Sequence, residues 1–233
     1  MKRAACACVV SLGVVAFSHA APTPIPKAVP AQPTYRFATP PVPMITQEHQ
    51  TAQQLYAAAV KDFSAGNFEA AKTGFQKVLA ISPENPPALI NLALIAQRQE
   101  RNDDAEQFLR RVIQKDTANA TAWLLLGIGA YDRNEFDAAH AHLAQAVLYA
   151  PEDARAHQYL GATFARRGWY SAGEEELRRA LELNPKSPDA HYNLAMIYME
   201  RVPPAVELAR RHYVRSIELG APPDEKLAER IGK

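Results

Sequence analysis

Small residues recur at a fixed 34-residue step along this chain, at Ala59, Ala93, Gly127, Gly161 and Ala195. A second ladder, Ala71, Ala105, Ala139 and Gly173, keeps the same step and reaches Ala209 after a two-residue insertion. Two ladders in phase define a repeat. A unit of this length has room for two short helices, and neighbouring units then complete each other's core. The pattern therefore predicts a stacked helical array.

One unit, residues 120–153, reads ATAWLLLGIGAYDRNEFDAAHAHLAQAVLYAPED. Its Trp123, Leu126, Gly127, Ala130, Phe136, Ala139, Leu143, Ala146 and Pro151 stand at the spacing of the tetratricopeptide repeat, which the unit resembles closely. The same columns place further units at 52–85, 86–119, 154–187 and 188–223, the last carrying the insertion. The resemblance implies an all-α, right-handed superhelical solenoid of antiparallel helix pairs, about five units within 46–223. A capping helix is expected over 224–233, with Asp224 as its N-cap and Leu227 and Ile231 on one face.

Close helix approach explains the ladders, because a large side chain where two helices cross forces the axes apart. Pro83, Pro151 and Pro185 end second helices, and Gly66 and Gly168 mark the turns within units. Val202, Pro203 and Pro204 lengthen that turn in the last unit, whose second helix is expected to begin near Pro204. Asp62, Asn102 and Thr117 depart from the pattern, which predicts looser packing in the first two units.

The first residues have another character. Lys2 and Arg3 precede a small-residue, apolar stretch to Phe17, and Ser18-His19-Ala20 offers a cleavage site after Ala20. Residues 1–20 read as a secretory signal, the run being shorter than a membrane span of about 18 residues. Removing Lys2 and Arg3 takes the formal charge from +1 to −1, and Cys6 and Cys8, the only two cysteines, leave with the signal. No disulfide or thiolate chemistry is then open to the mature chain. Neither cysteine has the upstream leucine of a lipoprotein box. Residues 21–45 form a proline-rich linker, roughly 75 Å long if extended as polyproline II. A spacer is one reading of it; docking through Tyr35, Arg36 and Phe37 is the other.

The resemblance places function on the concave face formed by each unit's first helix. There it aligns Tyr56 and Phe63, then Ile90, Leu94 and Arg98, then Leu124, Ile128 and Tyr131. The last two units add Arg155 and Arg166, then Tyr192, Met196 and Met199. Such an apolar lining suits a peptide or helix ligand, unless the side chains are consumed by packing against neighbouring units. Chaperone-tail binders of the family use a Lys, Asn and Arg clamp; the aligned residues here are Tyr56, Val60, Asn91, Thr121 and Leu125, so only the asparagine survives.

Catalysis is not expected. His140 and His142 stand about 200° apart on a helix, which prevents a shared metal. His157 and His191 occupy core columns, and Glu174, Glu175 and Glu176 read as a solvated helix start. No phosphate loop, metal triad or nucleophile pattern stands out, so no cofactor is expected. Paired arginines at 110–111, 166–167, 178–179 and 210–211 are interleaved with acids, which disfavours nucleic acid. Asn119-Ala120-Thr121 is a glycosylation sequon at a unit junction. The reading is an exported, periplasmic or secreted scaffold that binds a protein or peptide. Self-assembly into a structural oligomer, or service as an accessory subunit of a secretion or polysaccharide enzyme complex, are its alternatives.

Overall fold

The computed structural model describes residues 47–232, so the signal, the linker and the segment from Tyr35 to Phe37 lie outside the described residues. Among these, eleven helices alternate in direction. Units one and two comprise α1 (Gln47–Ser64), α2 (Phe68–Ile81), α3 (Pro86–Arg98) and α4 (Asn102–Lys115). Units three and four comprise α5 (Ala120–Asp132), α6 (Phe136–Tyr149), α7 (Ala154–Arg166) and α8 (Tyr170–Leu183). The fifth is α9 (Pro188–Met199) and α10 (Val206–Glu218), followed by α11 (Glu225–Gly232). Each helix packs on the next, and the first helices of units three, four and five also touch one another.

The joints repeat as strictly as the ladders. Asn85, Asn119, Asp153 and Ser187, spaced by 34 residues, each cap the next unit's first helix with a side-chain oxygen on a backbone N–H. Within a unit, the turn is made by one left-handed residue: Gly66, Glu100, Asn134 and Gly168 all have φ between 58° and 81°. The N–H of the next residue then bonds back to the helix, as in Arg101 N to Ala96 O and Trp169 N to Phe164 O, both 2.9 Å. In the fifth unit the equivalent bond, Ala205 N to Tyr198 O, is also 2.9 Å. The two extra residues are looped out, with Val202 at the surface. Helix α10 therefore starts at Val206 rather than near Pro204, because the proline pair serves the loop instead of the first helical turn.

Both ladders are buried. A Cβ on Gly161 would lie 2.9 Å from the carbonyl oxygen of Gly173, and one on Gly173 would lie 2.9 Å from that of Gly161. These two helices meet backbone to backbone, a distance only glycine permits. Phe75, Leu109, Leu143 and Leu177 fill one interior column, and Val78, Val112, Ala146, Ala180 and Ser216 the next. In the first two units Phe75, Val78, Leu89 and Val112 are all buried, while α1 buries only Ala52 and Ala59. The Thr117 carbonyl accepts the indole N–H of Trp123 at 2.8 Å, just as the Pro151 and Pro185 carbonyls meet the rings of His157 and His191 in later units, so threonine in place of proline leaves this contact intact.

Leu227 and Ile231 of α11 are buried against the end of the array. Asp224 Oδ1 accepts the N–H of Leu227 at 3.0 Å, and Tyr192 donates to Asp224 Oδ2 at 2.6 Å. The cap is thus tied to α9 as well as started correctly.

Candidate functional site: the concave face

Most of the expected lining residues lie on the first helices with part of the side chain open to solvent. Tyr56, Phe63, Ile90, Leu94, Ile128, Tyr131, Tyr192 and Met196 are half-buried, each leaning on its local core while leaving an edge to solvent. Arg98, Arg155 and Arg166 are exposed. Two residues do not belong to the surface. Leu124 is 3% exposed and Met199 7%, because their helices turn these side chains into the interior, Leu124 against the unit four core and Met199 beneath α11.

Aromatic rings dominate this surface and organise its charges. Arg98 lies over Phe63 and Phe68 at 6.0 and 5.1 Å from the ring centroids, and Arg166 lies over Phe136 at 4.9 Å. Tyr131 meets Tyr159 edge to face with centroids 5.8 Å apart. Tyr159 was not among the residues that alignment placed here, because its column otherwise holds Ala57, Asn91, Leu125 and Asn193. Burial raises the Tyr159 phenol pKa, with Asp132 and Asp189 adding to the effect and Arg155 opposing it. Burial, reinforced by the bond to Asp224, pushes Tyr192 up to about 12. Asn91, the survivor of the clamp, donates to Tyr56 Oη at 3.1 Å and to the Pro87 carbonyl at 2.8 Å, so its amide is spent on joining units one and two.

Away from the concave face, the polar residues are mostly structural ties. Residue 14 of each unit reaches back to the second helix of the preceding unit: Gln99 to Glu69 at 2.7 Å, Arg133 to Glu106 at 3.5 Å, Arg167 to Asp137, and Arg201 to Glu174. The glutamate run is not the solvated face it resembles in sequence. Glu174 is 8% exposed, bonded to Tyr198, Arg178 and Arg201, and Glu176 contacts His157 Nδ1 at 2.6 Å; only Glu175 faces water. His140 packs edge-on against Phe164 and Trp169, and His142 lies tilted against Trp123. Among the described residues no cluster of three His, Cys, Asp or Glu is arranged to hold a metal. Asn119 of the sequon is committed as an N-cap, accepting from Ala122 N at 3.1 Å.

Models of the tetratricopeptide repeat match residues 62–127, 96–162 and 154–197, more than half of the chain. The chain belongs to the tetratricopeptide repeat family. Among curated relatives, the type IV pilus assembly protein PilF of Pseudomonas aeruginosa is 29% identical over 140 residues, covering 58% of this chain and 55% of PilF. Protein IFIT1 homolog B of Homo sapiens is 25% identical over 140 residues, covering 57% of this chain and 30% of that protein. The chain thus spans about half, or less, of the length of these relatives. Among solved structures, Pseudomonas aeruginosa PilF superimposes with a TM-score of 0.70 at 22% identity, covering 80% of this chain and 85% of that one. A MamA protein follows with 0.62 at 22% identity, over 77% and 95% of the two chains. At such identity the tetratricopeptide repeat fold is what these structures share. Proteins of this fold serve as interaction scaffolds, and protein partners follow from it. Among the described residues of this tetratricopeptide repeat chain, no helix is long and apolar enough to cross a membrane.

Proposed function

We propose that this protein is an exported, non-catalytic scaffold of the cell envelope that holds a peptide or helix of a partner protein in its concave groove. One observation carries the reading: half-buried aromatic and aliphatic side chains recur on the first helices of units two, three and five, with Ile90 and Leu94, then Ile128 and Tyr131, then Tyr192 and Met196. Side chains held by the core yet open along one edge present apolar surface at little entropic cost, the property that makes good anchors for a ligand. Tyrosine and methionine add a polar rim and an adaptable thioether to that surface.

The sequence of residues 1–20 supports export, and the likeness to a protein named for pilus assembly supports a place in surface-associated machinery. The scaffold role assigns no catalytic residue, metal or cofactor. Crosslinking and pulldown of the full chain from its native envelope fraction test the reading, beside a Leu94→Ala, Ile128→Ala, Tyr131→Ala triple variant with unchanged circular dichroism. Partners lost only in the variant are the expected outcome. Identical partner sets would move binding off the groove, and recovery of the chain alone would turn the reading toward self-assembly.

A further inference from the structure

Resting on that groove, we propose that the concave face of units three to five takes an extended basic segment of its partner. The partner's arginine or lysine side chains lie between the rings of Tyr131, Tyr159 and Tyr192 and the carboxylates of Asp132 and Asp189. Three observations converge on this partner chemistry.

The first is that the chain's own arginines already behave this way. Arg98 on Phe63 and Phe68, and Arg166 on Phe136, place guanidinium groups over rings at 4.9 to 6.0 Å on the same side of the array. Among the described residues, no such cation lies over the rings of Tyr131, Tyr159 and Tyr192, one in each of three successive units. Phenol rings attract cations as phenyl rings do, and more strongly where water is partly excluded.

The second is the charge around Tyr159. Asp132 and Asp189 flank it. Asp132 has no hydrogen bond or salt bridge among the described residues, and Asp189 accepts only the Gln158 amide, at 3.4 Å. Asp132 is exposed, and partial burial raises its pKa against the opposing effect of neighbouring Arg133. Asp224 is spent on Tyr192 and the cap of α11. The cations near these carboxylates are Arg133, already paired with Glu106 and Glu135, together with Arg155 and with Lys226 beside Asp189 and Tyr192.

The third is spacing. Packed helices lie about 8 to 10 Å apart, and an extended polyproline II chain rises about 3.1 Å per residue with three residues per turn, so every third side chain faces the same way. Every third residue of an extended ligand therefore meets the next unit, which suits one cation per tyrosine.

Fluorescence anisotropy with the full chain and a labelled peptide of repeated Arg-Thr-Ser tests this, beside peptides carrying Gln or Glu for Arg. The Arg peptide is expected to bind best and to weaken as salt is raised. Asp132→Asn with Asp189→Asn is expected to weaken it about fivefold, two partly exposed charge contacts contributing modestly each. Arg155→Gln is expected to tighten it about twofold by removing a like charge, a gain that a misfolded variant cannot mimic. Equal binding of the Gln peptide, or indifference to the aspartate substitutions, overturns the basic-segment inference while leaving an apolar groove intact. Failure of the Arg peptide to bind overturns it as well, and the pulldown with the triple alanine variant then decides the groove on its own terms.

Discussion

Glu100 holds a left-handed backbone, with φ of 58°, at the position where two other units use glycine. A side chain with a Cβ pays about 1 kcal/mol or more for that conformation. Glu100→Gly is therefore expected to stabilise the array by up to about 1 kcal/mol, read as a higher urea midpoint at unchanged slope. The opposite holds at Gly161, where a methyl would strike Leu177 Cγ at 2.7 Å and the Gly173 carbonyl at 2.9 Å. Gly161→Ala is expected to cost about 1 to 3 kcal/mol, the range for overpacking a tight crossing. Equilibrium unfolding of the two single variants reads both. Individual residues also mark the limit of what a sequence discloses. The ladders name the crossing positions because only size matters there, and size is written in the letter. The burial of Leu124 and Met199, and the entry of Tyr159 into the concave face, depend on how far each helix rotates about its axis, which a repeat pattern does not record. Glu174 misleads for a related reason: its counter-charges Arg178 and Arg201 come from its own helix and from the next unit's turn.

At the scale of elements, α9 and α10 meet through an unusual pair. His191 Nδ1 and His212 Nδ1 are 2.9 Å apart, and His191 Nε2 faces the Pro185 carbonyl at 3.3 Å. That carbonyl assigns the proton of neutral His191 to Nε2, leaving Nδ1 to accept from His212 Nδ1–H. Burial lowers both pKa values, with Arg215 opposing protonation of His191, and with His191 and Arg178 opposing it at His212. Glu174, which favours the charged form of His212, only partly offsets this. Because the folded values lie below the unfolded one, the unfolded chain binds more protons as pH falls through about 6.5. The contribution is thus complete above that pH and is lost progressively below it. Melting temperatures between pH 7.5 and 5.5 are expected to fall, and to fall less in a His191→Gln, His212→Gln double variant. Helix existence and order were legible in the periodicity, as were Asp224 and the closing helix. The histidine contact was not, since the core column that holds His191 gives no sign that His212 would meet it.

For the molecule as a whole, stability in a stacked array is a sum over neighbouring units, so the last unit depends on what covers it. Leu227 and Ile231 provide that cover over the core of α9 and α10. Leu227→Ala is expected to cost about 2 to 4 kcal/mol, the usual loss for a fully buried leucine. Hydrogen exchange is expected to report the loss first in α9 and α10, with the first two units least affected; uniform acceleration along the array would contradict nearest-neighbour behaviour. The fold was readable because each unit restates it, whereas the lining of the concave face differs from unit to unit. Family membership therefore carries the architecture much further than it carries the partner. The caps at Asn85, Asn119, Asp153 and Ser187 have a consequence for heredity. Each stands at the last residue of a unit, so a tandem duplication or deletion in the gene that begins and ends there transmits a whole storey together with the starting signal of the storey that follows. The chain can grow or shorten between generations without any helix being cut, and the surface it offers can lengthen by copying before it diverges.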